Sequence, residues 1–298
     1  MSYKIQCAAA PNRNQFRDLK ERGFDAIEIH LMDLSKSSAQ AMLRTYNLNT
    51  YSVHTPIMSK TETDLNAILL PGMSERLTST MKFAQELASY YKHQMYVVVH
   101  NTWHTYDYQC SPEVFSMIVR TLQDTFRECP DVRLCIENVP PFDANGRFAN
   151  GSFLKDIRLL CDRINDALGA EFVGICFDAC HFLSSVVFTK DAFLETNHGK
   201  LGWAVDAENL DLYANLEAAG ELLWNIHVST NVGLSDTSEK HAVPLSAKDV
   251  TLWKNILGVL DENKRKPLLT IEVTEANYAE CVNAQVTKFY LEKAINGG

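Results

Sequence analysis

The chain has 298 residues, 46% of them hydrophobic, and a formal net charge of −9. This length suffices for one large core, the acidic balance supplies no general attraction for a polyanion, and no apolar run nears the roughly 18 residues of a membrane span. The first twenty residues, MSYKIQCAAAPNRNQFRDLK, lack the charged and apolar regions of a secretory signal, so a soluble, cytoplasmic protein is expected. Eight cysteines (Cys7, Cys110, Cys129, Cys135, Cys161, Cys176, Cys180, Cys281) are scattered without a CxxC pair, several inside apolar runs. They read as reduced packing residues rather than a disulfide framework.

YKIQCAAA (3–10) is the first strand-like run and FDAIEIHL (24–31) the second, with Gly23 as the turn before it. Residues 35–46 read as a short helix and TYSVH (50–54) as the third strand. In 74–91, Leu77, Met81, Ala84, Leu87 and Ala88 recur at three- and four-residue steps, the mark of a helix with one apolar face. MYVVVH (95–100) is the fourth strand, 112–127 a helix with Pro112 at its first turn, and DVRLCIE (131–137) the fifth strand. A helical stretch over 151–166 precedes the sixth strand, EFVGICFD (171–178). The interval 182–223 holds more than one helix needs and includes an inserted loop near Thr196 to Trp203. WNIHVS (224–229), a helix over 246–262 and PLLTIEV (267–273) complete the series. Eight largely apolar strands separated by helices predict an α/β protein with a parallel sheet covered by helices. The economical form is a closed (β/α)8 TIM barrel, single domain, over 1–298, with a doubly wound open sheet as the alternative. No GxGxxG follows a strand, so no dinucleotide loop is expected.

Six of these runs end at or near a metal-ligand residue type: His54, His100, Glu137, Asp178, His227 and Glu272. Taken alone, each has an ordinary explanation. A histidine after an apolar run is most often a hydrogen-bonded structural residue, Glu137 or Glu272 can pair a lysine, and Asp178 can cap the next helix. Recurrence at equivalent ends of successive strands is what points to a metal centre at the mouth of a barrel, since independent causes would not share that phase. Glu137, Asp178, His227 and Glu272 make a hard, mixed O/N set suited to Mn, Mg, Zn or Co. His181 follows Asp178 by three residues, one helical turn on, and His241 lies in a polar loop two residues after Glu239. These candidates exceed what one ion binds. Glu28 and His30 alternate with Ile27, Ile29 and Leu31, so they face the barrel interior, either lining a substrate pocket or forming a buried polar layer. Trp103 can stack on a sugar face or simply pack its loop, and His93, His104 and His198 read as surface residues.

GFDAIEIHL, YSVHTP, YVVVHN, LCIENVP, GICFDACH, HVST…EKHAVPL and LTIEV together resemble, in order and over nearly the whole chain, the xylose-isomerase-like TIM-barrel superfamily. That superfamily contains sugar isomerases and epimerases and also endonuclease IV, an abasic-site nuclease. The sugar branch implies one divalent ion on Glu137, Asp178, His227 and Glu272, with His181 near the substrate. It further implies a metal-stabilised enediolate and Glu137 and Glu272 as acid and base on a sugar or sugar phosphate. The endonuclease IV branch implies two or three zinc ions, with His54, His100, His181 and His241 added to the ligands and abasic DNA as substrate. Glu239 stands where that branch has an aspartate, DACH replaces DTCH, and the nuclease loop patterns are missing, so the sugar branch is preferred. A non-catalytic sugar-binding barrel is the third reading, disfavoured by the presence of both glutamates. A homo-oligomer is compatible with all three.

Overall fold

A computed structural model describes residues 2–31, 36–56, 73–101, 110–139, 153–190, 211–232 and 242–297. All eight expected strands form: β1 (Ile5–Ala9), β2 (Ala26–His30), β3 (Asn49–His54), β4 (Met95–His100), β5 (Val132–Glu137), β6 (Val173–Asp178), β7 (Leu223–Val228) and β8 (Leu268–Ile271). Each pairs in parallel with the next and β8 closes on β1, making one (β/α)8 TIM barrel and excluding the open sheet. The loop expected near Thr196 to Trp203 lies outside the described residues.

The strand sequences explain the layering. Alternate residues such as Ile27, Ile29, Val97, Val99, Ile136 and Ile226 are buried in the large core between barrel and helices. Removing each from water contributes roughly 1.5–3 kcal/mol. The opposite phase is unusually polar: Gln6, Glu28, Ser52, Glu137, Asn225 and Thr270 are at most 1% exposed. Inside the barrel the main apolar group is a small one, Val98, Cys135 and Cys176, with Tyr96 and Trp224 packed against it. All eight cysteines are free thiols and only Cys110 is not buried, as expected for packing residues.

The helix expected over 74–91 is α3 (Met73–Tyr91), and Leu77, Met81, Ala84, Leu87 and Ala88 are all buried. Before it come α1 (Arg13–Glu21) and α2 (Lys36–Tyr46); after it come α4 (Pro112–Glu128), α5 (Leu154–Leu168), α6 (Ala179–Lys190), α7 (Leu212–Ala219), α8 (Val250–Glu262) and α9 (Val282–Ile295). Helix α1 went unread in the sequence because only Phe16 and Leu19 anchor it; the Asn12 side chain caps it by accepting from the Asn14 and Gln15 amides. Helix α9 was missed because Val282, Val286 and Phe289 face outward while Ala284, Leu291 and Ala294 face in, which blurs the period. His93 is half-buried rather than a surface residue, ringed by Tyr51 and Tyr91. Among the described residues no helix is long and apolar enough to cross a membrane.

The pairing shifts where β6 meets β7: Ile175 faces Leu223 but Cys176 faces Asn225, leaving Trp224 as the extra residue of a bulge. The Trp224 indole lies against Gly174, where any Cβ would overlap the ring and stand 2.8 Å from the Leu222 carbonyl oxygen. Gly174→Ala is therefore expected to cost about 1–3 kcal/mol of stability by overpacking, read from the midpoint of urea unfolding; an unchanged midpoint would show that Trp224 moves aside freely.

Candidate metal centre

Parallel register sets the ligand types level with one another. His30 pairs with His54, His100 with Glu137, and Asp178 with His227, so the ends of neighbouring strands deliver their polar side chains to one depth. Glu272 follows β8 directly and is about one-fifth exposed, whereas Glu137 and Asp178 are 1% exposed and His227 is fully buried. Donor atoms of Glu137, Asp178, His227 and Glu272 all lie within 4.8 Å of one another. His227 Nδ1 is 2.6 Å from Glu272 Oε2, 3.3 Å from Glu137 Oε1 and 3.7 Å from Asp178 Oδ2.

Neither nitrogen of His227 makes an aligned hydrogen bond, nor does Glu272 Oε2, although all three atoms are buried. Buried polar atoms left in that state are costly unless something else uses them. Three carboxylates and one imidazole converging on a common point fit a divalent cation of the Mn, Mg, Zn or Co type. A second donor group shares Glu137: its Oε2 is 2.9 Å from His54 Nε2 and 3.8 Å from His100 Nε2, and the three residues again fall within 4.8 Å. Glu137 thus offers one oxygen to each group.

Asp178 combines the two roles that its position in the sequence left open. Its Oδ1 accepts from the His181 amide at 2.6 Å, capping α6, while Oδ2 faces His227. His181 Nδ1 donates to the Asn138 carbonyl at 2.7 Å and lies 3.4 Å from Glu137 Oε1. Among the described residues His181 joins no group of three donors. His241 and Trp103 lie outside the described residues, as does Glu239. Glu28 and His30 do face the interior; Glu28 is fully buried and His30 is 7% exposed.

Sequence reading missed Asn138. Its amide grips the backbone of Asp178 from both sides, Nδ2 donating to the Asp178 carbonyl at 2.9 Å and Oδ1 accepting from the Asp178 N–H at 2.7 Å. The available signal was the polar residue directly after Glu137 in LCIENVP.

Burial pushes the Glu137 carboxyl up, but the charges of His227 and His100, the close approach of the His227 ring and the hydrogen bond from His54 outweigh it and hold it well below the usual carboxylate range. The same contest at Glu272, won by His227 and then His30, brings it down to about 2. Burial works against a charged His227 ring, and the surrounding Cys176, Glu137, Glu28 and Glu272 overcome it, holding the ring well above the ordinary histidine value. For His181 burial prevails over Glu137 and lowers the pKa, which keeps a lone pair on the ring.

Two outcomes follow from this geometry. Because His227 holds its proton at neutral pH, a cation taking Nδ1 must displace it, so affinity rises with pH. Calorimetric Mn²⁺ titrations in two buffers of different ionisation enthalpy should show about one proton released per ion; no release would contradict binding of the ion by a His227 ring that starts out protonated. Asn138→Ala strips two buried hydrogen bonds from Asp178 and should cost about 2–4 kcal/mol of stability, measured by chemical denaturation.

The comparisons with known proteins agree with this architecture. Among curated proteins none is a significant match to the chain. A D-allulose 3-epimerase from Methylomonas sp., solved with D-allulose, superposes with a TM-score of 0.60 at 13% identity, covering 98% of each chain. An AP endonuclease, family 2, from Brucella melitensis gives 0.60 at 12% identity over 94% of this chain and 96% of its own. Endonuclease IV from Thermus thermophilus gives 0.55 at 16% identity over 97% and 99%. Identities this low speak for the fold alone. The model of the xylose isomerase-like TIM barrel family matches residues 16–289, and the chain belongs to that family.

Proposed function

We propose that the protein is a divalent-metal-dependent isomerase or epimerase of a sugar or sugar phosphate, working in the cytoplasm. The observation that carries the reading is the pair Glu137 and Glu272. They leave the barrel on β5 and just after β8, yet their carboxylates meet with Asp178 and His227 around one point. A divalent ion bound there supplies Lewis-acid polarisation of neighbouring substrate oxygens and so acidifies the C–H between them.

The chain's own groups handle the proton. Glu272, one-fifth exposed and ionised down to about pH 2, is the carboxylate with access to a substrate and is suited to accept a proton from carbon. Glu137, buried and paired with His54 and His227, approaches from the opposite side and serves as the second acid/base group. His181, fixed through Asn138, offers a polar contact to a substrate hydroxyl.

One observation favours a second reading, a multi-zinc phosphodiesterase of the endonuclease IV type acting on abasic DNA. His54, His100 and Glu137 form a further donor group, which a single-ion isomerase does not require. The acidic balance of the chain weighs against a polyanionic substrate.

Metal content and reaction distinguish them. One exchangeable Mn²⁺ or Mg²⁺ ion per chain, with deuterium incorporated from solvent beside the carbonyl of a ketose, is expected; tightly held zinc at two or three per chain with incision of an abasic duplex would overturn the isomerase. Glu272→Gln should lower turnover by about 10²–10⁴-fold, the usual weight of a general base. His54→Ala should have a milder effect than Glu272→Gln, and an equally severe loss would point to the multi-metal chemistry.

A further inference from the structure

Directly beneath the candidate ligands lies a fully buried carboxylate ringed by four polar groups. Glu28 Oε2 accepts from Ser52 Oγ at 2.5 Å and Asn225 Nδ2 at 3.1 Å. Its Oε1 faces His30 Nε2 at 2.9 Å and His227 Nε2 at 3.1 Å, the latter off the axis of an ideal hydrogen bond. A carboxylate has about four lone-pair positions; three are used by Ser52, Asn225 and His30, and His227 Nε2 is the group nearest the fourth. Enclosed by these four and fully buried, Glu28 does not open onto the substrate side.

The groups below Glu28 make its orientation one-directional. Gln6 Nε2 donates to Ser52 Oγ at 2.5 Å and to Thr270 Oγ1 at 2.8 Å, and Thr270 Oγ1 in turn donates to Asn225 Oδ1 at 2.8 Å. With its oxygen so occupied, Asn225 must turn its NH₂ toward Glu28; with Gln6 donating to it, Ser52 turns its O–H the same way. All the protons run upward and stop at Glu28, an acceptor only. The remaining face of that carboxylate can be satisfied only by N–H groups, and those are supplied by His30 and His227.

The geometry points to Glu28 as the positioning residue of the metal centre: by taking the proton on His227 Nε2 it fixes the ring so that Nδ1 faces the cation. A carboxylate behind a ligating histidine orients the ring and raises its basicity, and loss of such a partner typically costs about 10–100-fold in metal affinity. This role rests on the reading that Glu137, Asp178, His227 and Glu272 hold a divalent ion. It differs from a substrate-lining role for Glu28, since the carboxylate acts through His227 and never meets the substrate.

The full-length, metal-free protein titrated with Co²⁺ against a competing chelator provides the test. Glu28→Gln, which replaces an acceptor by an amide donor, should bind Co²⁺ about 10–100-fold more weakly than the unaltered chain. Binding within twofold would overturn the inference. Should Glu28→Gln fail to fold, ¹⁵N NMR of histidine-labelled, Zn²⁺-loaded unaltered protein decides alone. A proton on His227 Nε2 and a metal-shifted Nδ1 are expected, a signature that a purely structural Glu28 would not dictate, whereas zinc on Nε2 would refute it. If the unaltered chain binds neither Co²⁺ nor Zn²⁺, the metal reading itself falls, and this inference with it.

Discussion

Several ionisable groups are enclosed at one end of the barrel with almost no access to water, and the rest of the structure depends on keeping them paired. Glu28, Glu137 and Asp178 are at most 1% exposed and His227 is fully buried. Each such charge, left alone, would cost several kcal/mol. The parallel strands meet this constraint by dividing their two faces: branched apolar residues build the shell core with the helices, and much of the inward phase carries polar and ionisable groups set against one another. Most TIM barrels fill that interior with branched apolar side chains. Here much of it is a hydrogen-bonded column from Gln6 to Glu28, capped by the ligand group.

That column and the ligand group form one electrostatic unit. Glu28 stands behind His227, Asn138 stands behind Asp178, and Asp178 in turn starts α6 by capping it. The candidate donor positions are therefore set by strand and helix backbone, which favours precise placement over adaptability. Glu137 connects the unit laterally, with one oxygen toward His227 and the other toward His54 and His100.

Much of this was legible along the chain. The eight strands could be found because each is a short apolar run, and the clustering of imidazoles and carboxylates could be anticipated because those residue types recur at the ends of such runs. The supporting groups were not legible. Asn138, Ser52, Asn225 and Thr270 are ordinary polar residues within or beside strands, and a single Asn or Thr there has no pattern that separates a surface position from a buried partner. Helices α1 and α9 were passed over for a related reason, since one has too few apolar residues and the other has them on both sides.

By itself the sequence determined the fold family and the residue types of the candidate donor group, because both rest on periodicity and residue type, which are local. Tertiary structure decided which donor atoms share a point, which oxygen of Glu137 faces which group and which nitrogen of His227 faces the other three candidate donors. Those are matters of register and closure. Glu28 and Asn225 stand 197 residues apart in the chain, and they come within 3.1 Å only because eight parallel strands close into a ring with β2 facing β7 across it.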